Sequence, residues 1–295
     1  MLFREYDEET LSRLQALELM ILRDFIDLCE SGGIDYFGVG GTAIGAVRHG
    51  GFIPWDDDID VGLTRENYER FLEAARDYKP EKYKLVNAQT DSSYPLPTTR
   101  WVLRGTKFKE ECFQNLDCEL GIFLDIYCFD NIADDDGKMR RQGWKAWFYG
   151  KLLILRSISK PVLYVKGWKA GLVLAASFFV HHGLRIFRVS PGFLYRKAME
   201  AASAYRDVPT KRVAYFFDPT PFTSIIQMEH IVPTKIMDFN GIPMRFPGKV
   251  EEYLKVRYGD YRSLPPVEER HNHPPAEFDF GPYEEVEKFA GISGK

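Results

Sequence analysis

Cysteine is scarce in this 295-residue chain, and what there is forms no framework. Cys29, Cys112, Cys118 and Cys128 include no CxxC pair, and no histidine stands at metal-ligand distance from any of them. That spacing disfavours a zinc site or a disulfide scaffold and points to reduced, mostly buried thiols. Basic excess is missing too. With 39 Lys and Arg against 43 Asp and Glu, the net charge of −4 weighs against a general nucleic-acid binder, which needs a cationic face. Long apolar runs are absent as well. The most apolar stretch, "GLVLAASFFV" at 171–180, is half the ~20 residues of a membrane span. The acid-rich opening "MLFREYDEETLSRLQALELMILRDF" lacks the character of a signal or transit peptide. The expectation is a soluble, cytoplasmic protein.

Apolar residues, by contrast, reach 45 % and aromatics 15 %, enough for a sizeable core. Leu11, Leu14, Leu17, Ile21, Leu22 and Phe25 recur at helical spacing, so 8–30 reads as an amphipathic helix stopped by "SGG" at 31–33. "IDYFGVG" reads as a strand, "GTAIGAVRHG" as a turn into a short helix, and "IDVGL" as a second strand. A helix over 65–78 follows, then strands "YKLVN", "TTRWVLRGT" and "FLDIYCF". Residues 139–205 carry almost no strand signal and predict two or three helices broken near Pro161 and Pro191. Strand-like text returns at 212–247 and a short helix at 249–258. The proline-rich "LPPVEERHNHPPAEF" predicts irregular surface chain. This divides the chain into a core over 1–138, a helical insertion over 139–205, and a C-terminal part, 206–295, completing the core.

Four aspartates, Asp56, Asp57, Asp58 and Asp60, crowd into five positions. If "DDDIDV" is extended, Asp58 and Asp60 share one face while Ile59 and Val61 face the core. Two carboxylates on one face suit Mg²⁺, which completes its octahedron with water and substrate phosphate. Upstream, Gly40-Gly41-Thr42 offers close backbone approach and donors at a helix start. A solvated acidic turn is the bland alternative, weakened by the apolar text on both sides. A calcium loop fails, with Val61 where glycine is required and Asn67 where glutamate is required. Asp125, inside apolar "GIFLDIYCF", is either a partnered structural carboxylate or a third acid beside the first two.

"GAVRHGGFIPWDDDIDVGL" resembles the signature of the LicD family, the choline-phosphate transferases related to fukutin and fukutin-related protein. "RGTKFKE", "LGIFLDIYCFD", "FPGKVEEYLKVRYGDY" and "LPPVEERHNH" resemble its later blocks in the same order. The resemblance implies an α/β (α+β) fold, a nucleotidyltransferase-type mixed sheet flanked by helices. It also implies transfer of a phosphorylated alcohol from a CDP-linked donor to a glycan or lipid-linked glycan hydroxyl, with Mg²⁺ or Mn²⁺ as cofactor. By position, Asp58, Asp60 and Asp125 would hold the metal, with Asp125 also a candidate to take the acceptor proton. Gly40, Gly41 and Thr42 would contact donor phosphate, and Arg48 and His49 would neutralise the diphosphate.

Other residues leave two readings open. Arg100, Arg104 and Lys107 either reach anionic substrate or are exposed bases on an edge strand. Arg48 could equally be a surface ion-pair partner and His49 a packing residue. His271 and His273 either join the site or sit in a loop. Arg185 and Arg188 beside Phe187 leave open a helix lying peripherally on the inner face of a membrane. Two rival functions stand beside the transferase: addition of a nucleotide to a small molecule or nucleic acid, and a non-catalytic glycan- or nucleotide-binding relative.

Overall fold

The computed structural model describes residues 6–161, 167–266, 270, 272 and 274–285. It opens on α1 (Glu8–Gly32), capped by Asp7, whose carboxylate accepts from the Thr10 amide at 2.8 Å, with Glu8 and Glu9 facing the helix dipole. Leu14, Leu17, Ile21, Leu22 and Phe25 are fully buried along one stripe. Gly33, at φ 58°, ends the helix in the left-handed conformation that glycine adopts without a Cβ penalty.

Next come β1 (Phe37–Gly38), α2 (Gly40–His49), β2 (Asp60–Thr64), α3 (Arg65–Asp77), β3 (Tyr83–Val86), β4 (Thr99–Leu103), β5 (Lys107–Lys109) and β6 (Phe123–Ile132). The central sheet is mixed, in the order β1-β2-β6-β4-β3, and only β2 and β6 run parallel. Against it, Phe25 from α1, Phe71 from α3, Tyr83 and Trp101 form one aromatic core, with Tyr83 stacked on Trp101 at 4.0 Å between centroids. Cutting one of these large side chains to alanine costs about 3–5 kcal/mol.

Three helices follow where the sequence predicts two or three: α4 (Asp136–Ser157), α5 (Trp168–Ile186) and α6 (Pro191–Ala202). The chain then re-enters the sheet. β7 (Arg212–Tyr215) pairs with the last residues of β6, and β8 (Ser224–Gln227) pairs with β7. After the single turn α7 (Met228–Ile231), β9 (Lys235–Phe239) and β10 (Ile242–Phe246) make a hairpin, and α8 (Val250–Tyr258) crosses back to the mouth of the sheet.

Two expectations are corrected. β4 is not an edge strand: it lies between β3 and β6, so Arg100 is buried. The tail is not irregular throughout, because β11 (Glu277–Asp279) pairs antiparallel with β5 and sets Phe278 opposite Phe108. Its alternation, Glu-Phe-Asp, is short enough to be lost among the prolines before it. Among the described residues no single helix is long and apolar enough to cross a membrane.

Candidate active site

Parallel pairing of β2 with β6 places Asp60 directly beside Asp125. Asp58 lies just ahead of β2 rather than within it, yet its carboxylate still turns to the same side. Oxygens of Asp58, Asp60 and Asp125 all lie within 4.8 Å of one another, and a second triplet, Asp56, Asp57 and Asp58, closes to the same limit. Burial, followed by repulsion from their acidic neighbours, pushes the Asp58 and Asp60 carboxyls well above the ordinary carboxylate range. Oδ1 of Asp60 is buried without a hydrogen-bond partner among the described residues. An all-oxygen donor set with an orphaned carboxylate oxygen fits a hard divalent cation.

The start of α2 holds Asp60 by its backbone. Val39 donates its N–H to the Asp60 carbonyl at 3.1 Å, and the Thr42 hydroxyl accepts from the Asp60 N–H at 2.8 Å. Gly40 sits at φ 59°, and a Cβ there would meet Asp60 Oδ2 at 2.5 Å; one on Gly41 would meet Asp56 Oδ2 at 2.6 Å. Both positions therefore require glycine for the aspartates to come this close. Gly40 and Gly41 line a cavity of about 130 Å³ with Asp60. Thr42 differs from expectation: it is buried, outside that lining, and its hydroxyl positions Asp60.

Asp125 has a partner that its own apolar strand conceals. Arg100, opposite it on β4, donates Nε to Asp125 Oδ1 at 3.2 Å and Nη2 to Glu110 Oε1 at 2.5 Å. Burial raises the Asp125 carboxyl above its ordinary range, and the Arg100 guanidinium offsets only part of that rise.

Three further contributors escape a reading of the aspartate block alone. Glu18, on α1, is 1 % exposed; burial and then Asp58 and Asp57 push its carboxyl far up, and its Oε2 has no hydrogen-bond partner among the described residues. The signal was its position on the Leu14–Leu22 stripe, where an apolar residue belongs. Gln15 donates to the Asp56 carbonyl at 2.8 Å. From α8, Arg257 faces the cavity, held by Tyr258 Oη at 2.7 Å, the Thr223 carbonyl at 3.1 Å and the Ser224 hydroxyl. Its charge lowers the Asp60 carboxyl against the upward push of burial.

The remaining candidates divide. Arg48 is engaged with the chain after α8, donating Nη1 to the Tyr261 carbonyl at 3.0 Å and Nε to His49 Nε2 at 2.9 Å. Burial lowers its pKa, the nearby Arg270 adds to that, and Asp56 opposes it. His49 is lowered by burial and by Arg48, in keeping with an imidazole that accepts from Arg48. Arg104 is turned elsewhere, its Nε on the carbonyls of Pro80 and Tyr83. Lys107 is exposed on β5, paired with β11, and the structure does not gather it with the acids. His271 and His273 lie outside the described residues.

A mixed sheet carrying paired carboxylates on adjacent strands, behind a glycine turn that opens a helix, defines a nucleotidyltransferase-type domain. Residues 33–151 match the family described as LicD/FKTN/FKRP, nucleotidyltransferase domain. Along 90 % of its length it is 27 % identical to the lipopolysaccharide cholinephosphotransferase LicD of Haemophilus influenzae, covering 96 % of that protein. A shorter stretch of 45 residues is 42 % identical to the ribitol 5-phosphate transferase FKRP of Homo sapiens, covering 15 % of this chain and 9 % of that one. The Mus musculus FKRP matches over the same length with the same identity.

Proposed function

We propose that this protein transfers a phosphorylated alcohol of the phosphocholine type. The donor is a CDP-linked alcohol, and the acceptor is a hydroxyl of a cell-surface glycan or its lipid-linked precursor. The observation that carries this reading is the convergence of Asp58, Asp60 and Asp125 around the unpartnered Asp60 Oδ1, beside the Gly40-Gly41 turn. The names of the relatives, a cholinephosphotransferase and two ribitol 5-phosphate transferases, support the group transferred.

Asp58, Asp60 and Asp125 would hold Mg²⁺, or Mn²⁺ in its place; when bound, the ion offsets charge on the diphosphate and on the departing oxygen. Gly40 and Gly41 leave room for a phosphate to approach the backbone, and Arg257 contributes fixed positive charge from α8. The acceptor oxygen forms a bond to the phosphorus of the transferred group as the bond from that phosphorus to the bridging oxygen breaks. CMP leaves with that electron pair, and the hydroxyl proton passes to the Asp125 carboxylate. In-line positioning of the reactants supplies much of the acceleration in such transfers.

The test is incubation with CDP-choline, CDP-ribitol and other CDP-alcohols in the presence of Mg²⁺, following CMP release. CMP release with one donor, lost when Mg²⁺ is chelated, is the expected result. Pyrophosphate release from a nucleoside triphosphate, with no CMP from any CDP-alcohol, would replace this reading with nucleotide addition.

A further inference from the structure

Residues 137–199 contain thirteen lysines and arginines and not one acidic residue, so all 43 of the acids lie elsewhere in the chain. This stretch covers α4 almost whole, all of α5 and most of α6.

α5 is inverted relative to a helix that packs on a core. It buries only Ser177 and His181, the latter with Nδ1 2.8 Å from the Leu155 carbonyl of α4. Turned outward are Trp168, Leu172, Phe178, Phe179 and Ile186, with Phe187 directly after the helix. Phe179 is 73 % exposed and Ile186 75 %. Trp144 and Phe148 on α4 add exposed rings to the same helical unit. So many exposed large apolar side chains on one helix mark a binding face.

We propose that α5 docks this protein onto the surface of an anionic phospholipid bilayer, lying in the headgroup plane. No single helix among the described residues is long and apolar enough to cross a membrane, and the pair of α5 and α6 is bent by 113°. An in-plane helix suits the features observed. Its rings enter the acyl boundary, while Lys169, Arg185 and Arg188, all exposed, reach lipid phosphates along their aliphatic stems. Each basic residue near an anionic leaflet adds attraction, and α5 itself carries no acid. A second copy is the poorer occupant, because Lys169, Arg185 and Arg188 would meet the same bases on its twin. The inference is independent of the transferase reading.

The experiment is flotation of the full chain with vesicles of phosphatidylcholine alone, or of phosphatidylcholine with phosphatidylglycerol, at low and high salt. Anionic vesicles should bind at least about tenfold more protein than neutral ones, and salt should weaken that preference. F179E/I186E should lower partitioning about tenfold. K169Q/R185Q should remove most of the anionic preference while keeping weak binding. Melting temperatures of both variants should match the parent, since all four side chains are exposed. Failure to float, or equal binding to both vesicle types, overturns the proposal. So does a dimer in sedimentation that F179E/I186E dissolves while vesicle binding is absent, for then a second copy covers the face.

Discussion

Arg100 and Asp125 face each other across β4 and β6, Nε to Oδ1 at 3.2 Å, and the same guanidinium also holds Glu110. Both side chains of the Arg100–Asp125 pair are almost wholly buried. Removing one member of a buried ion pair leaves its partner charged and unsolvated. Arg100→Ala should therefore destabilise the fold by about 3–5 kcal/mol. Arg100→Lys should recover part of this, because one ammonium cannot serve two carboxylates as a fork does. Urea unfolding followed by circular dichroism checks both; a loss below about 1 kcal/mol for Arg100→Ala would show the pair to be energetically neutral.

Thr42→Val removes the acceptor for the Asp60 N–H and puts a methyl in its place. The stranded amide should cost about 1–3 kcal/mol and loosen Asp60, whereas Thr42→Ser should behave like the parent. Denaturant midpoints and CMP release, measured side by side, separate the two effects. Equal behaviour of the valine and serine variants would show that the hydroxyl does nothing for Asp60.

Asp58→Asn and Asp60→Asn should each abolish CMP release while leaving the metal-free fold as stable as before or more so. Each change deletes a carboxylate oxygen of the proposed metal site and also relieves the repulsion that raises these carboxyls. Activity near the parent level in either variant at limiting Mg²⁺ would remove that residue from the metal site.

In chelator, stability should fall as pH rises. Glu18, Asp58 and Asp60 have folded-state pKa values raised well above 4.5 for the glutamate and 3.8 for the aspartates. Over that window the folded protein binds more protons than the unfolded chain, so each upward step in pH favours unfolding. The loss begins above the ordinary carboxylate range and ends where the folded carboxyls ionise. Mg²⁺, binding the ionised forms, should flatten or reverse the slope. Melting temperatures from about pH 5 to pH 8, with and without Mg²⁺, decide it; an unchanged difference between the two conditions would argue against a cation in this cluster.

Local pattern made most of the fold legible. The α1 stripe, the glycine stop at Gly33 and the strand at "IDVGL" all survive folding because short-range geometry and burial favour the same structure. Asp58, Asp60 and Asp125 were visible as charges out of place in apolar text. Arg100 was not: partner choice for a buried charge depends on which strands lie side by side, and nothing near "TTRWVLRGT" reveals that β4 neighbours β6. The same holds for Arg257, delivered from α8 across the molecule. Glu18 was legible in principle, as an acid on an apolar stripe, but its meaning depends on the loop of aspartates that α1 packs against.

Ile132 at the end of β6 pairs with Arg212 at the start of β7, so the three helices leave the sheet and return to it at neighbouring points on one ladder. Such a detour behaves as a cassette. α4 and α6 are tied to the core through Ala146, Ala198 and Ala202, but the outer face can drift while the strand register that aligns Asp60 with Asp125 stays fixed. A lineage can in this way re-address the protein to a different surface without redesigning its chemistry, and an engineer can graft at the same seam.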